Sequence, residues 1–267
     1  MSIASTLLSK LSDPDLVKAA GYIGGEWVTE ADGGGTFDVV NPSGGDVIAT
    51  LPDMSASETK RAIDEAYRVQ KEWAAKTGKE RGALLRRYFE LMVENADDLA
   101  TILTMEMGKP WPEARGEILY GASFIEWFSE EAKRVYGDTI PGHQADKRIV
   151  VIKQPIGVVG TITPWNFPMA IPSWKMTPAL VAGNTVVFKP ATYTPLLAIR
   201  FVEILEEAGI PGGVVNLVLG NGADVGDPIV AHPDVSLISF TGSTETGIRV
   251  ATEAAKTNKR VTLEMGG

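Results

Sequence analysis

The sequence predicts an α/β protein: an open, twisted parallel sheet with flanking helices, preceded by a helical segment and a small antiparallel arm. From Gly157 onward, five short apolar runs rich in β-branched residues alternate with segments that suit helices. That is the pattern of strands buried on both faces and joined by crossover helices. Between residues 55 and 136 the apolar residues instead recur at helical spacing, behind two capping boxes. Of the 267 residues 44% are apolar and 22% charged, the balance of a folded chain with a sizeable core.

Residues 1–50 hold glycines and short strand-like pieces, GYIGGEWV and TFDVVNP, and read as an extended arm or small antiparallel addition. Ser55 and Glu58 form a capping box ahead of a helix to about Lys76, with Ala62, Ile63, Ala66, Val69 and Trp73 on its apolar stripe. Thr77 and Glu80 start a second helix through Leu85, Tyr88, Leu91 and Met92. A third covers roughly Asp97 to Met107, Pro110 and Pro112 break the pattern, and a long helix follows to about Tyr136. Residues 137–156 read as the turn GDTIPG and the strand RIVVIKQ. The core, 157–267, has strands VVGTIT (158–163), TVVFK (185–189), VVNLVL (214–219), SLISFT (236–241) and RVTLE (260–264). The helices of 55–136 are expected to pack on this sheet rather than form a separate domain.

With 34 acidic against 25 basic residues the net charge is −9, which repels phosphate backbones and argues against nucleic acid as a partner. It leaves room for a small anionic ligand, because backbone amides bind phosphate whatever the net charge. There are no cysteines, so these residues carry no disulfide, thiolate metal site or cysteine nucleophile. His143 and His232 are far apart in sequence, and no metal site is expected. No apolar run approaches the roughly 20 residues of a membrane span, and the first residues lack a signal-peptide pattern. No membrane association and a cytoplasmic location are therefore expected.

Ligands on open parallel sheets sit at the carboxyl ends of the strands. After the first core strand comes TPWNFP, a stiff turn with Asn166 at its middle. Asn166 suits two roles, a cap for the next helix or an amide donor into the crevice. After the second comes KPATYTP. Lys189 either snorkels to solvent or ends a buried strand and meets a ribose hydroxyl or phosphate. Thr194 and Pro195 suit the N-cap and first position of a helix. After the third comes GNGADVG, whose glycines allow close ligand approach. After the fourth comes FTGSTETG, where Gly242 and Gly247 flank Ser243 at a helix N-terminus that favours pyrophosphate, although G-x-G-x-x-G is absent. After the fifth come Glu264, Met265, Gly266 and Gly267. Glu264 is either a general base or an ordinary strand-end carboxylate.

The segments TPWNFP, KPATYTP, GIPGGVVNLVLG, SFTGSTETG and TLEMGG together resemble the NAD(P)-dependent aldehyde dehydrogenase family, in the family's order, from about Gly21 to the last residue. The stretch from Ile125 to Gly160 looks most like its succinate-semialdehyde branch. The resemblance implies that 1–267 is one cofactor-binding domain of Rossmann type: an N-terminal extension (1–50), a helical segment (55–136), an oligomerisation-type strand arm (137–156) and a dinucleotide-binding core (157–267). The family's chains are nearly twice as long, so the resemblance implies that its catalytic domain is expected to lie outside these residues.

Carried over residue by residue, Asn166 matches the oxyanion-hole asparagine and Glu264 the base that activates the hydrolytic water. Trp165 matches the tryptophan lining the cofactor crevice, Lys189 the lysine on the adenosine ribose, and Ser243 the serine on the pyrophosphate. The implied cofactor-binding set adds Thr163, Pro164, Ala191, Thr192, Gly222 and Gly226. Phe240, Thr241, Gly242, Met265 and Gly266 complete it, with Glu264 itself. In the family a thiolate attacks the aldehyde carbon, hydride passes to nicotinamide, and water hydrolyses the thioester. That cysteine lies beyond Glu264 and outside this chain, so the chain alone is expected to bind cofactor and be inactive.

Many NAD-preferring members carry Glu where this chain has Thr192. Without that carboxylate a 2′-phosphate meets no like charge, which favours NADP slightly over NAD. The succinate-semialdehyde branch usually has Arg before the lysine at Lys175, where it can pair with the substrate carboxylate; here the residue is Trp174. Succinate semialdehyde remains the leading substrate, with an uncharged aldehyde, or a non-catalytic nucleotide-binding or interaction module, as alternatives. Full-length members are homo-oligomers in which the arm around Ile149 to Lys153 pairs with a neighbour, and alone it would expose strand edges.

Overall fold

The computed structural model describes residues 1–13 and 17–266. Gly267, the last residue of TLEMGG, lies outside the described residues.

The N-terminal region contributes to two sheets. Strands β1 (Ser2–Ile3), β4 (Thr36–Val40) and β5 (Val47–Pro52) form a small antiparallel sheet of order β1-β5-β4, with helix α1 (Ser5–Leu8) after β1. Strands β2 (Gly21–Ile23) and β3 (Glu26–Val28) instead form a hairpin on the edge of the main sheet. Residues 1–50 thus supply both a small antiparallel sheet of their own and an antiparallel addition to the main sheet. Leu217 pairs with Tyr22, so two antiparallel strands extend a sheet expected to be wholly parallel. Tyr22 and Ile23 are buried there, which explains why this hairpin stays on the body.

Four helices follow: α2 (Ala56–Ala75), α3 (Gly78–Glu94), α4 (Ala96–Met107) and α5 (Trp111–Glu131). Both capping boxes form. Ser55 and Thr77 each accept a backbone N–H of the first turn while Glu58 and Glu80 reach back to the cap amides. Helix α5 ends earlier than expected, passing into a 3₁₀ turn over Ala132–Arg134. Trp73, Leu85, Tyr88, Leu91 and Ile118 share one core with the sheet residues Val186, Val187 and Phe188, so the helices pack on the sheet. The buried Arg81 guanidinium donates to the carbonyls of Ala74, Lys76 and Val181, satisfying two helix C-termini at once.

Strands β6 (Asp138–Pro141) and β7 (Arg148–Val151) pair with each other antiparallel and are exposed throughout. The core continues as β8 (Val158–Ile162), α6 (Ala170–Val181), β9 (Thr185–Lys189), α7 (Pro195–Glu207), β10 (Val215–Leu217), α8 (Asp227–Ala231), β11 (Val235–Gly242), α9 (Thr244–Ala255) and β12 (Arg260–Met265). The seven-stranded order is β12-β11-β8-β9-β10-β2-β3, with β8 through β12 parallel. Strands β8, β9 and β10 are buried as expected. Strand β12 is largely exposed, because at the sheet edge only β11 covers one side. Among the described residues no helix is long and apolar enough to cross a membrane.

From β8 the chain adds β9 and β10 on one side, then crosses back to add β11 and β12 on the other. The switch point lies between β8 and β11, where an open α/β sheet leaves a crevice at its carboxyl edge.

Candidate active site

Register aligns the candidate residues along that edge. Ile162 lies opposite both Lys189 and Phe240, Thr241 opposite Glu264, and Gly242 opposite Met265. Every candidate segment thus begins at the same rim of the sheet.

Lys189 is 6% exposed, so it does not snorkel. Its Nζ donates to the Pro190 carbonyl at 2.7 Å and has no carboxylate partner among the described residues. Burial pushes the ammonium down to about 8. Its stem passes Gly226, where an added Cβ would stand 3.8 Å from Lys189 Cδ. Ala191 and Thr192 are part-buried beside it, and Gly222 is exposed at the start of a π-helical turn, Gly222–Gly226.

Thr163 is buried, its N–H held by the Lys189 carbonyl at 3.2 Å, and Pro164 is part-buried. Trp165 is 53% exposed. Asn166 is exposed, and its side-chain amide bonds no described residue. It does not cap α6: the N-cap position is Met169, and the amides of Met169 and Ala170 are held by Glu117 at 3.0 and 3.3 Å. Of the two roles open for Asn166, the structure does not place it as the helix cap.

Ser243 is the N-cap of α9, accepting the Thr246 amide. Thr244 Oγ1 donates to the Gly266 carbonyl at 2.9 Å, tying the β11 and β12 ends together. Phe240 is buried with its ring beneath Gly242, where an added Cβ would lie 2.5 Å from the ring. Met265 packs against Gly247. A cleft of about 440 Å³ opens between α8 and α9, lined by Ala223, Pro228, Val230, Val250 and the Arg249–Asp227 ion pair.

Glu264 is held at both carboxylate oxygens. Oε2 accepts from Thr241 Oγ1 at 2.7 Å, and Oε1 accepts from the Trp174 indole at 3.3 Å and faces Lys175 Nζ at 3.4 Å. Lys175 is 5% exposed and also donates to Ser239 Oγ. Burial lowers its pKa, while Glu264 opposes that shift. Trp174 stacks edge-on against Phe124 and Tyr120.

Sequence reasoning did not find Lys109, Glu117, Lys175 or the α8–α9 cleft. Lys175 had a usable signal, one lysine inside the apolar helix AIPSWKMTPALV. Thr194 and Pro195 take the expected N-cap and first positions of α7, but the Thr194 hydroxyl makes no capping bond and, among the described residues, is buried without a partner. Glu106 of α4, 3% exposed, accepts from the Leu196 and Leu197 amides at 2.8 and 2.9 Å instead.

Residues 27–267 match the aldehyde dehydrogenase family. The chain belongs to that family. It is 55% identical over 258 residues to a glutarate-semialdehyde dehydrogenase of Pseudomonas putida, covering 97% of this chain and 54% of the relative. It is 53% identical to the NADP(+) succinate-semialdehyde dehydrogenase GabD of Escherichia coli, covering 97% of this chain and 53% of the relative. A crystal structure of an NADP-dependent enzyme of E. coli superposes with a TM-score of 0.95 at 53% identity, over 97% of this chain and 53% of that one. As an aldehyde dehydrogenase family member, the chain has the α/β, parallel-rich architecture of its cofactor-binding domain, and it spans about half the length of these relatives.

Proposed function

We propose that this chain is the dinucleotide-holding part of an enzyme that oxidises an aldehyde to a carboxylic acid with NAD(P)+. The observation that carries this is Lys189, a buried ammonium at the switch-point crevice with one backbone partner among the described residues. A buried charge needs more hydrogen bonding than that, and ribose hydroxyls supply it. In this proposal Ser243 and the first amides of α9 meet the pyrophosphate, the α8–α9 cleft takes the flat adenine, and Trp165 walls the nicotinamide side. The dinucleotide, when bound, supplies the hydride acceptor. Asn166 donates to the oxyanion that develops on the aldehyde oxygen, and Glu264 accepts a proton from the hydrolytic water. The attacking thiol comes from outside these residues, and a homo-oligomer of the longer protein fits the exposed β6–β7 hairpin.

Succinate or glutarate semialdehyde fits the relatives best. Trp174 favours a second reading, an uncharged aldehyde, because it places an aromatic cluster where a carboxylate-binding arginine would stand. For the 267-residue chain, no NADPH absorbance at 340 nm is expected with either type of aldehyde. Sustained turnover in a sample of confirmed mass contradicts the assigned need for an external thiol.

NADP is favoured because Thr192 offers a 2′-phosphate no like charge. Thr192→Glu is expected to weaken NADP about tenfold or more while NAD holds or tightens, as adding a facing carboxylate should. Titrations in which both dinucleotides respond equally overturn this basis for preference.

A further inference from the structure

Asn166 sits on an exposed turn, yet an oxyanion donor must be held in place before reaction. What holds this turn is on its opposite side. Lys109, just after α4, donates from Nζ to the Asn166 backbone carbonyl at 3.0 Å and lies 4.2 Å from the Phe167 ring centroid. The same ammonium is ion-paired with Glu117 Oε2, and the two side chains are 10% and 1% exposed. Glu117 Oε1 accepts the Met169 and Ala170 amides at the start of α6. One desolvated ion pair therefore grips the carbonyl of residue 166, the ring of 167 and the amides of 169 and 170. The Asn166 side-chain amide is left with no described partner.

We infer that Lys109 and Glu117 are positioning residues that fix the Asn166 amide toward the crevice. This rests on the assignment of Asn166 as the oxyanion donor. The chemistry suits the task. Each charge is satisfied by the other and by backbone groups of the turn, so the turn cannot shift without exposing a buried charge. A neutral pair would hold the same shape with weaker bonds. Lys109 and Glu117 are not among the residues assigned to either ligand, and their contacts are with the turn and the start of α6, so their assigned role is through the turn.

The test uses ¹⁵N-labelled 267-residue chain and follows the Asn166 side-chain amide resonance, assigned by its loss in Asn166→Ala. Lys109→Met is expected to shift and broaden that resonance and to raise amide exchange at Met169 and Ala170 about tenfold, the effect of losing local protection. Lys109→Arg is expected to restore both, and Lys133→Met, an exposed control, to change neither. A folded Lys109→Met protein whose Asn166 resonance stays in place overturns the clamp. If that variant does not fold, Glu117→Gln decides in the same way, because it keeps the volume and an acceptor while removing the charge. NAD and NADP titrations on the same samples separate the two ideas. A turn that moves in a chain that binds no dinucleotide supports the clamp and removes the site assignment. A turn that stays in a chain that binds does the reverse.

Discussion

Lys189→Met is expected to weaken dinucleotide binding about ten- to a hundredfold, the worth of a hydrogen bond from a charged group, roughly 1.5–3 kcal/mol. The same change is expected to leave the unliganded fold as stable or more stable. Methionine keeps most of the stem's packing and removes a buried ammonium that, among the described residues, has only the Pro190 carbonyl as partner. Loss of affinity without loss of stability separates a binding lysine from a structural one. Acidity gives an independent check. The folded pKa is depressed from 10.5 to about 8, so above pH 8 the folded chain releases a proton that the unfolded chain still holds. The cost of the buried charge is felt in full below pH 8 and relieved as pH rises to about 10.5, so wild-type stability rises across that window relative to Lys189→Met. Dinucleotide affinity changes the opposite way, falling above pH 8 as the donor loses its proton. Urea denaturation and binding titrations at pH 7 and 9.5 read both. An affinity that ignores Lys189→Met removes the residue from the site.

Glu106→Ala is expected to lower the unfolding free energy by about 3 kcal/mol. The lost carboxylate leaves the Leu196 and Leu197 amides buried without acceptors, at roughly 1–3 kcal/mol each, and opens a small cavity. Helix α7 follows the Lys189–Thr192 loop, so its fraying should also weaken the dinucleotide. Burial pushes the Glu106 carboxyl up from 4.5 to about 8, against the pull of the two amides. A group with a raised folded pKa stabilises fully below its unfolded value and loses that contribution as pH rises through its folded one. Wild-type stability is therefore expected to fall between about pH 4.5 and 8, and Glu106→Gln to flatten that slope. Equal slopes in the two proteins remove Glu106 from this role.

The legible parts of the fold were those written locally. β-Branched runs marked the core strands, and Ser55–Glu58 and Thr77–Glu80 marked helix starts, because each signal spans a few residues. The strand ends were readable for the same reason: parallel strands place the residues after them at one rim. What escaped was set by distant partners. The β2–β3 hairpin joins the sheet through Tyr22 and Leu217, nearly two hundred residues apart. Thr194 had the local form of a cap, yet the capping carboxylate comes from Glu106 on another helix. Glu264 could be named as a candidate base, but not its link to Trp174 and Lys175 on α6.

The 267-residue chain is expected to hold a dinucleotide at the β8–β11 switch point. Titrating NADP and then NAD into the purified chain, with tryptophan fluorescence as the signal, tests it most directly. Saturable quenching at one site, lost in Trp165→Phe while calorimetric binding persists and strongly weakened in Lys189→Met, is the predicted result. Absence of saturable binding of either dinucleotide to the folded chain, by fluorescence and calorimetry alike, contradicts it.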